Sequence, residues 1–383
     1  MSSDLPPPFD PSLLPPGVAS RFVDTASGLR IHLLEAGAGE GRPFVLMLHG
    51  FPELGFSWRK VMPLLAEAGY HVVAPDQRGY GRTTGWDGRY DGDLRSFEVL
   101  RLVRDVIALV EALGRAHVDC LVAHDFGALV APWCALTRPD LFRSLVLMSV
   151  PFAGPPAVGA SRRAGFDMQA ELGKLHPPRK HYQWHYSTRD AERDLLGAPQ
   201  GLPAALRAYY HMKSADWPDN APFPLTGWDA REFAKLPTYY VMDADADMAE
   251  TVAPHMPSPK QIAECAWLTE AELAVYVGEF GRTGFQGGLN WYRCRTEPGH
   301  MTELEVFAGR TIDMPSLYVA GVADWGTFQT PGAFERMQSH ALTRLHGCHL
   351  IPGAGHWVQQ EQPATTAAAL LNFLQGLAHA SRP

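Results

Sequence analysis

The chain has 383 residues, of which 46% are hydrophobic and 10% aromatic, and its formal net charge at pH 7 is −8. This composition predicts a folded protein with one large core, or with a core domain and a smaller second domain. The acidic balance and the lack of a Lys/Arg stripe argue against nucleic-acid binding, and no apolar run reaches the length of a membrane helix.

The cysteines and the N-terminus bear on location. The five cysteines are scattered and form no CxxC pair, so we expect reduced thiols rather than a disulfide framework. The first residues, MSSDLPPPFDPSLLPPG, have neither the basic stretch nor the apolar stretch of a signal peptide. We therefore expect a cytoplasmic protein in which the proline-rich residues 1–18 form an extended N-terminal tail.

In the first part of the chain, short apolar runs alternate with helical patterns. The predicted strands are Arg21–Asp24, Arg30–Leu34, Phe44–Leu48, His71–Ala74, Asp119–Ala123 and Ser144–Val150. The predicted helices are Ser57–Ala68, Phe97–Leu113 and Phe126–Leu136. This alternation indicates βαβ units and a parallel sheet, while the turn TASGL suits an antiparallel hairpin between the first two strands.

After Pro151 the pattern changes to amphipathic stretches with few strand runs. The helices predicted there are Ser161–Leu172, Lys180–Gly197, Pro203–Lys213, Thr269–Phe280 and Gln286–Thr296. Strands return at Ser316–Gly321 and Arg344–Ile351, followed by a helix at Pro363–Leu377. We predict an α/β core domain made of residues 19–151 and 310–383, with a helical cap of residues 152–309 inserted after the sixth strand.

The stretch LVAHDFGALV, residues 121–130, has the pattern of a nucleophile elbow. A buried strand runs into a sharp turn and then into a helix, and the small residues Ala123 and Gly127 flank the turn. Serine usually occupies the tip, but here the residue is Asp125. Taken alone, this aspartate could also be a helix N-cap or mark an elbow that has lost its activity.

Further polar groups follow strands that we predict to end at the same edge of the sheet. The loop HGFPE suggests an oxyanion hole made by the backbone N–H groups of Phe51 and Phe126, and its Phe51–Pro52 bond is predicted to be cis. Asp324 and His356 follow the last two strands. Each feature alone also fits a plain turn, a cap or a loop histidine, but together they give the chain order nucleophile, acid, base.

A carboxylate at the elbow changes the first chemical step. Serine must lose a proton before it attacks, whereas aspartate is already ionised at neutral pH. Asp125 would attack an electrophilic carbon directly and form an alkyl-enzyme ester. His356, oriented by Asp324, would then deprotonate the water that hydrolyses this ester, and the oxyanion hole would stabilise the charge of that second step.

Attack at saturated carbon needs a leaving group, and two classes fit. A halide needs N–H donors in an apolar pocket, whereas an epoxide needs acids such as tyrosine hydroxyls to protonate its oxygen. Tyr182 and Tyr292 in the predicted cap are candidates. Aromatic residues in a lid also serve packing, and the pattern alone does not select two of the twelve tyrosines.

The motifs HGFPE, DQRGYGRT, AHDFGALV, TGFQGGLNWYR and GHWVQQEQP together resemble the epoxide hydrolases of the α/β-hydrolase fold. The resemblance runs from about Phe22 to the end of the chain. It implies a mostly parallel eight-stranded sheet flanked by helices, with the cap after the sixth strand. It also implies that the protein needs no cofactor and no metal, and that its partner is a small-molecule epoxide.

The resemblance assigns roles to five residues. It implies Asp125 as the nucleophile, Asp324 and His356 as the charge-relay pair, and Tyr182 and Tyr292 as the lid tyrosines that activate the epoxide.

Two features complicate this assignment. Tyr186 lies one helical turn from Tyr182 and could be the second lid tyrosine instead. The chain also departs from the family's usual pattern at Ala123, where glycine is usual, and at Phe126, where tryptophan is usual. Gln183 fits the family's pattern.

Substrate contacts are expected from position in the chain. The residues expected to contact the substrate lie beside the predicted catalytic groups in the chain and are His49, Gln183, Trp184 and Trp325.

Other functions fit the sequence less well than epoxide hydrolysis. Haloalkane dehalogenases share the aspartate elbow, but they hold the halide with a tryptophan N–H beside the nucleophile, and Phe126 offers no side-chain donor. The chain lacks the serine nucleophile of an ester hydrolase. The complete Asp-Asp-His set argues against an inactive binding protein. His181 and His185 have a zinc-like spacing without the glutamate of HExxH, so we predict no metal site.

Overall fold

The computed structural model describes residue 6, residues 9–159 and residues 167–380. The described residues form ten strands, which are β1 (Val18–Asp24), β2 (Arg30–Ala36), β3 (Phe44–Leu48), β4 (His71–Pro75), β5 (Cys120–His124), β6 (Leu145–Met148), β7 (Arg179–His181), β8 (Val241–Asp243), β9 (Ser316–Gly321) and β10 (Leu345–Ile351). β7 and β8 pair with each other, and the other eight strands form one sheet.

The helices follow in the same chain order. They are α1 (Met62–Glu67), α2 (Val99–Ala112), α3 (Phe126–Thr137), α4 (Met168–Gly173), α5 (Tyr182–Tyr186), α6 (Ala191–Leu196), α7 (Leu202–Lys213), α8 (Ala230–Phe233), α9 (Met248–Val252), α10 (Pro259–Glu264), α11 (Glu270–Thr283), α12 (Gln286–Thr296), α13 (Ala333–Arg336), α14 (Val358–Glu361) and α15 (Pro363–Ala380). Short 3₁₀ turns and one π turn, Met337–Ala341, connect some of them. None of the described helices is both long and apolar enough to cross a membrane.

The large sheet has the strand order β1-β2-β4-β3-β5-β6-β9-β10. β2 runs antiparallel to both of its neighbours, and all other neighbouring strands are parallel, which confirms the predicted mostly parallel sheet. β3 and β5 are buried along their whole length, as expected for parallel strands covered on both faces. The strand order reverses between β3 and β5, so the loops that follow them leave a crevice at their carboxyl ends.

Helices α4 to α12 and the small β7–β8 sheet lie between β6 and β9 in the chain. This is the cap that the sequence places after the sixth strand, although it contains a two-stranded sheet as well as helices. The boundaries between core and cap at residues 151/152 and 309/310 stay a prediction. Within the predicted tail, residues 1–5, 7 and 8 lie outside the described residues, as do residues 161–166 of the helix predicted at Ser161–Leu172.

The predicted helix Lys180–Gly197 differs most from the structure. It begins as strand β7, because Lys180 pairs with Met242 more than sixty residues away, and it is then divided into α5 and α6. α5 starts where the imidazole of His181 accepts the N–H of Gln183. Local periodicity does not reveal a strand partner so distant in the chain.

The tight connection from β5 into α3 depends on Gly127. A Cβ atom at this position would lie 2.5 Å from the carbonyl oxygen of Leu48 in β3. We expect Gly127→Ala to lower the free energy of unfolding by about 1–3 kcal/mol, because backbone atoms of a central strand have little room to move. Chemical denaturation measures the change.

Gly376 in α15 is the matched control, since a Cβ atom there meets nothing within 4 Å. Gly376→Ala should be neutral or should stabilise the protein by up to about 1 kcal/mol. Equal unfolding midpoints for the two variants would show that the close contact between α3 and β3 does not require glycine at position 127.

Candidate active site

The turn after β5 holds Asp125 in a conformation that few residues other than glycine adopt, with φ 49° and ψ −112°. Its N–H donates to the carbonyl of Met148 at 3.2 Å, and the N–H of Gly127 donates to the carbonyl of His49 at 3.0 Å. Strained backbone of this kind is characteristic of functional sites. Asp125 occupies the N-cap position of α3, but its carboxylate makes no capping hydrogen bond to the helix.

The HGFPE loop after β3 lies directly against this carboxylate. The N–H of Phe51 donates to Asp125 Oδ1 at 2.9 Å, which is the contact expected of an oxyanion-hole donor. The Phe51–Pro52 bond is cis, which confirms that prediction. A Cβ atom on Gly50 would lie 2.4 Å from Asp125 Cβ, so glycine is required for this approach. Phe126, the other predicted donor, begins α3.

The loops after β9 and β10 bring two further groups to the same place. His356 Nδ1 and Asp324 Oδ1 lie 3.0 Å apart, and Asp324 Oδ1 also accepts the N–H of Gly326 at 2.7 Å. On the other side of the ring, His356 Nε2 lies 3.5 Å from Asp125 Oδ2. The side chains of His356 and Asp324 are each 1% exposed, whereas that of Asp125 is 14% exposed. Of these three side chains, that of Asp125 is therefore the most accessible to a small molecule, whereas His356 and Asp324 are buried behind it.

The charges of these three groups stabilise one another. Burial on its own raises the pKa of Asp125 and of Asp324, but the adjacent His356, together with other neighbours such as Lys213 and the N–H of Gly326, holds both pKa values below their usual range. Burial and the positive charge of Lys213 lower the pKa of His356, yet the two carboxylates raise it by more. Both carboxylates are therefore ionised at neutral pH, as direct attack by Asp125 requires.

A buried polar network connects the three loops, and the sequence analysis missed it. Glu53 Oε2 lies 2.7 Å from His124 Nδ1, and His124 Nε2 lies 2.7 Å from the carbonyl oxygen of His356. Gln359 and Gln360 both donate to Glu53 Oε1, at 3.0 and 2.9 Å. The sequence feature that could have indicated this network is the presence of several polar residues in two motifs, HGFPE and GHWVQQEQP, that lie next to apolar stretches.

Lys213, at the end of α7, is a second residue that the sequence analysis missed. Its ammonium lies 5.1 Å from the ring centre of Tyr240 and 5.4 Å from that of Trp357, and its backbone oxygen accepts the N–H of His356 at 2.8 Å. Aromatic faces attract cations, so these rings hold a buried positive charge near the histidine. No spacing in the sequence marks this residue.

One cavity joins Asp125 to the predicted lid tyrosines. Its described lining includes Asp125 from the core and Tyr182, Gln183, Tyr292 and Arg295 from the cap. The ring centres of Tyr182 and Tyr292 lie 5.7 Å apart, and Gln183 Nε2 donates to the Tyr182 hydroxyl at 3.2 Å. Burial raises the pKa of both tyrosines, so both are protonated and able to donate. We call this space the reactive cavity.

Tyr186 occupies a different environment from Tyr182. Its ring packs 5.0 Å from that of Tyr292 and 5.4 Å from that of Phe51. It lines a separate apolar pocket and is not among the described residues that line the reactive cavity. Tyr182 therefore shares a cavity with Asp125, whereas Tyr186 lines a different one.

Three predicted substrate contacts are not among the described residues that line the reactive cavity. His49, the first residue of the HGFPE loop, is fully buried, and its Nε2 accepts the N–H of Gln77 at 3.1 Å. Trp184 packs against His181, and Trp325 packs against Phe223. Trp184 follows Gln183 on α5, but adjacent helical residues point in different directions, so nearness in sequence did not decide which side chain faces the cavity.

A larger, mostly apolar cavity of about 730 Å³ adjoins the reactive cavity. The two share lining residues, among them Phe126, Leu129 and Arg295. Aromatic side chains such as Trp133 and Phe152 form part of its wall. This large cavity suits the apolar part of a ligand whose reacting carbon lies at Asp125. In the described part of the chain, no cluster of three or more His, Cys, Asp or Glu side chains could hold a metal ion.

Comparison with known proteins agrees with this architecture. Residues 43–172 match the alpha/beta hydrolase fold family. Epoxide hydrolase A of Mycobacterium tuberculosis is 34% identical over 367 residues, which cover 93% of this chain and 97% of that protein. Among solved structures, an epoxide hydrolase from an endophytic Streptomyces superposes with a TM-score of 0.77 at 32% identity, covering 95% and 97% of the two chains. Potato epoxide hydrolase I superposes with a TM-score of 0.72 at 30% identity, covering 94% and 99%.

Proposed function

Because the chain belongs to the epoxide hydrolase family of the α/β-hydrolase fold, we propose that it converts an epoxide and water to a vicinal diol through an ester on Asp125. The observation that carries the proposal is the environment of the Asp125 carboxylate. Phe51 N–H binds Oδ1, while Oδ2 lies near His356 Nε2 in a cavity that also contains Tyr182 and Tyr292.

The first step forms the ester. Asp125 Oδ2 attacks one epoxide carbon, and the bond from that carbon to the epoxide oxygen breaks. The oxygen takes a proton from Tyr182 or Tyr292, so the leaving group departs as a hydroxyl rather than as a free alkoxide. The negative charge moves from the carboxylate to the tyrosine, and the ester that forms is neutral.

The second step releases the diol. His356 takes a proton from water, and the hydroxide attacks Asp125 Cγ while the charge on Oδ1 is stabilised by the N–H groups of Phe51 and Phe126. The Cγ–Oδ2 bond then breaks, and Oδ2 leaves with the diol after taking the proton from His356. The carboxyl proton that remains on Asp125 restores the tyrosine, so atoms and charges balance over one turnover.

Oxygen labelling tests the ester directly. In a single turnover with a styrene-type epoxide in heavy-oxygen water, the label should enter the peptide that contains Asp125, and the diol should carry none. A label found only in the diol would mean direct attack by water and would contradict the ester.

The two tyrosines should share the protonation of the leaving oxygen. We expect Tyr182→Phe and Tyr292→Phe each to lower the rate of ester formation by roughly 10²-fold or more, since general acid catalysis typically contributes 10²–10⁴-fold. The double variant should lose more than either single variant. Rapid-mixing measurements of ester formation give these rates.

Tyr186→Phe is the matched control, because Tyr186 lies on the same short helix as Tyr182 but lines a different pocket. A loss for Tyr186→Phe as large as that for Tyr182→Phe would contradict the assignment of Tyr182.

The ester should change the titration of His356. In the free enzyme the negative charge of Asp125 helps to raise the pKa of this histidine, and ester formation removes that charge. We therefore expect the pKa of His356 to be lower in the ester than in the free enzyme. The rate of ester hydrolysis should stay high at pH values where His356 of the free enzyme is already protonated.

The comparison requires two titrations. Nuclear magnetic resonance follows His356 in the free enzyme, and single-turnover kinetics follow ester hydrolysis across pH. An acid limb of hydrolysis at or above the pH of the free-enzyme titration would contradict the assigned charges.

A haloalkane dehalogenase is the competing function with the same nucleophile. Phe126 has no side-chain donor for a halide, so we expect no release of chloride or bromide from haloalkanes. We also propose a cytoplasmic location, which the five unpaired cysteines support. Cell fractionation tests this location.

A further inference from the structure

The reactive cavity contains a cation that the proposed mechanism does not use. Arg295 lies on α12, three residues after Tyr292, so the two side chains share one face of the helix. Arg295 lines both the reactive cavity and the large cavity. Its side chain therefore stands at the junction of the reacting atoms and the apolar space.

Arg295 has no hydrogen-bond or ion-pair partner within the described residues. Its Nε atom is buried and makes no hydrogen bond, and no described carboxylate lies within ion-pair distance of its guanidinium. Burial lowers the pKa of Arg295, and the nearby Tyr182, Tyr292 and Asp125 offset this effect only in part, although a guanidinium remains charged. Glu305, an acid that also lines the large cavity, accepts the N–H of Gly159 at 2.8 Å.

The neighbouring arginine on the same helix shows the contrast. Arg293 Nε donates to Glu297 at 2.7 Å, and its guanidinium lies 3.7 Å from the ring centre of Tyr90. Arg293 also donates to the backbone oxygen of Tyr90 at 2.6 Å. A basic residue in the last helical turn interacts favourably with the helix dipole, but Arg293 already provides that interaction. The dipole therefore does not explain why Arg295 points into a cavity.

We propose that Arg295 binds a carboxylate of the substrate, so that the preferred epoxides carry an anionic carboxylate together with an apolar chain or ring. The planar guanidinium fork matches the two oxygens of a carboxylate, and a partly buried cation that has no ion-pair partner among the described residues favours an anion. An anionic substrate would otherwise be repelled by Asp125, and Arg295 in the same cavity offsets that repulsion. This inference rests on the proposed function and specifies its substrate class.

The test uses pairs of substrates that differ only in charge. Terminal epoxyalkanoates of increasing chain length, each paired with its primary amide, vary the distance from the epoxide to the carboxylate at nearly constant shape. We expect wild-type enzyme to favour the acid over the amide in kcat/KM at one or more lengths. Arg295→Met should lower the ratio of kcat/KM for acid and amide by roughly 10- to 100-fold, in line with a charge-assisted hydrogen-bonded pair.

Two further variants separate charge from shape. Arg295→Lys keeps the charge without the fork and should retain part of the preference for the acid. Gln329→Met changes a neutral polar side chain in the same cavity and should leave the acid-to-amide ratio unchanged.

Each outcome decides the question. Wild-type turnover of amides without a preference for any acid would overturn the inference and leave the proposed function standing. An Arg295→Met variant that retains the preference, or that slows acids and amides equally, would also overturn it. Failure to hydrolyse any epoxide, acid or amide, would instead count against the proposed function itself.

Discussion

Replacing Asp125 with alanine is expected to lower kcat for every epoxide substrate by roughly 10⁴–10⁶-fold, the loss seen when a covalent nucleophile is removed from a preorganised site. Alanine has no oxygen that can bond to the substrate carbon, and neither His356 nor the tyrosines can replace it. Steady-state assays of diol formation measure the loss, and intact-protein mass spectrometry should detect no ester.

Asp140→Ala is the matched control, because this aspartate is 64% exposed and pairs with Arg138 on the surface. Its activity should equal that of the wild type. Asp125→Asn adds a second comparison, since the amide keeps the shape of the side chain but not its negative charge. If Asp125→Ala still formed diol at the original rate, the ester mechanism would be wrong whatever the effect of the other variants.

Replacing His356 with glutamine is expected to stop the reaction after the ester on Asp125 has formed. Without the histidine, the N–H of Phe51 and the positive charge of Lys213 still favour the ionised form of Asp125, so we expect the first step to occur, whereas water loses its base. One equivalent of epoxide should be consumed per enzyme, and the protein mass should rise by the mass of the substrate. Steady-state turnover should fall by about 10⁴-fold or more.

The combination of both changes provides the control. A variant with Asp125→Ala and His356→Gln should show no mass increase, because it lacks the acceptor for the alkyl group. If His356→Gln binds epoxide but gains no mass, while wild-type turnover proceeds, then His356 acts before the ester forms and its assigned role is incorrect.

Much of the core could be predicted from the sequence because its strands are short apolar runs separated by amphipathic helices. The strand predicted at Ser316–Gly321 has the observed bounds, and Phe44–Leu48 agrees as well. Asp125, Asp324 and His356 each follow a strand of the parallel sheet, and the carboxyl ends of such strands meet at one edge. Their common location follows from topology alone.

The cap was less accessible to sequence reasoning. Strand β7 depends on pairing with β8, and the direction of Trp184 depends on how α5 is seated, so neither follows from local pattern. Arg295 and Lys213 are basic residues in the last turns of amphipathic helices, where such residues are common on surfaces. Only the three-dimensional arrangement shows that both approach the catalytic groups.

Tyr182 and Tyr292 lie on α5 and α12, whereas Asp125 and His356, the proposed nucleophile and base, lie on loops of the central sheet. Bond formation and proton donation are thus encoded in separate stretches of the gene. Under the proposed mechanism, substitutions in the inserted stretch would change which oxiranes are accepted, and at which carbon they open, without altering the groups that form and hydrolyse the ester. Diversification within this lineage is expected to concentrate in the insertion, and exchange of insertions between relatives is a direct route to altered selectivity.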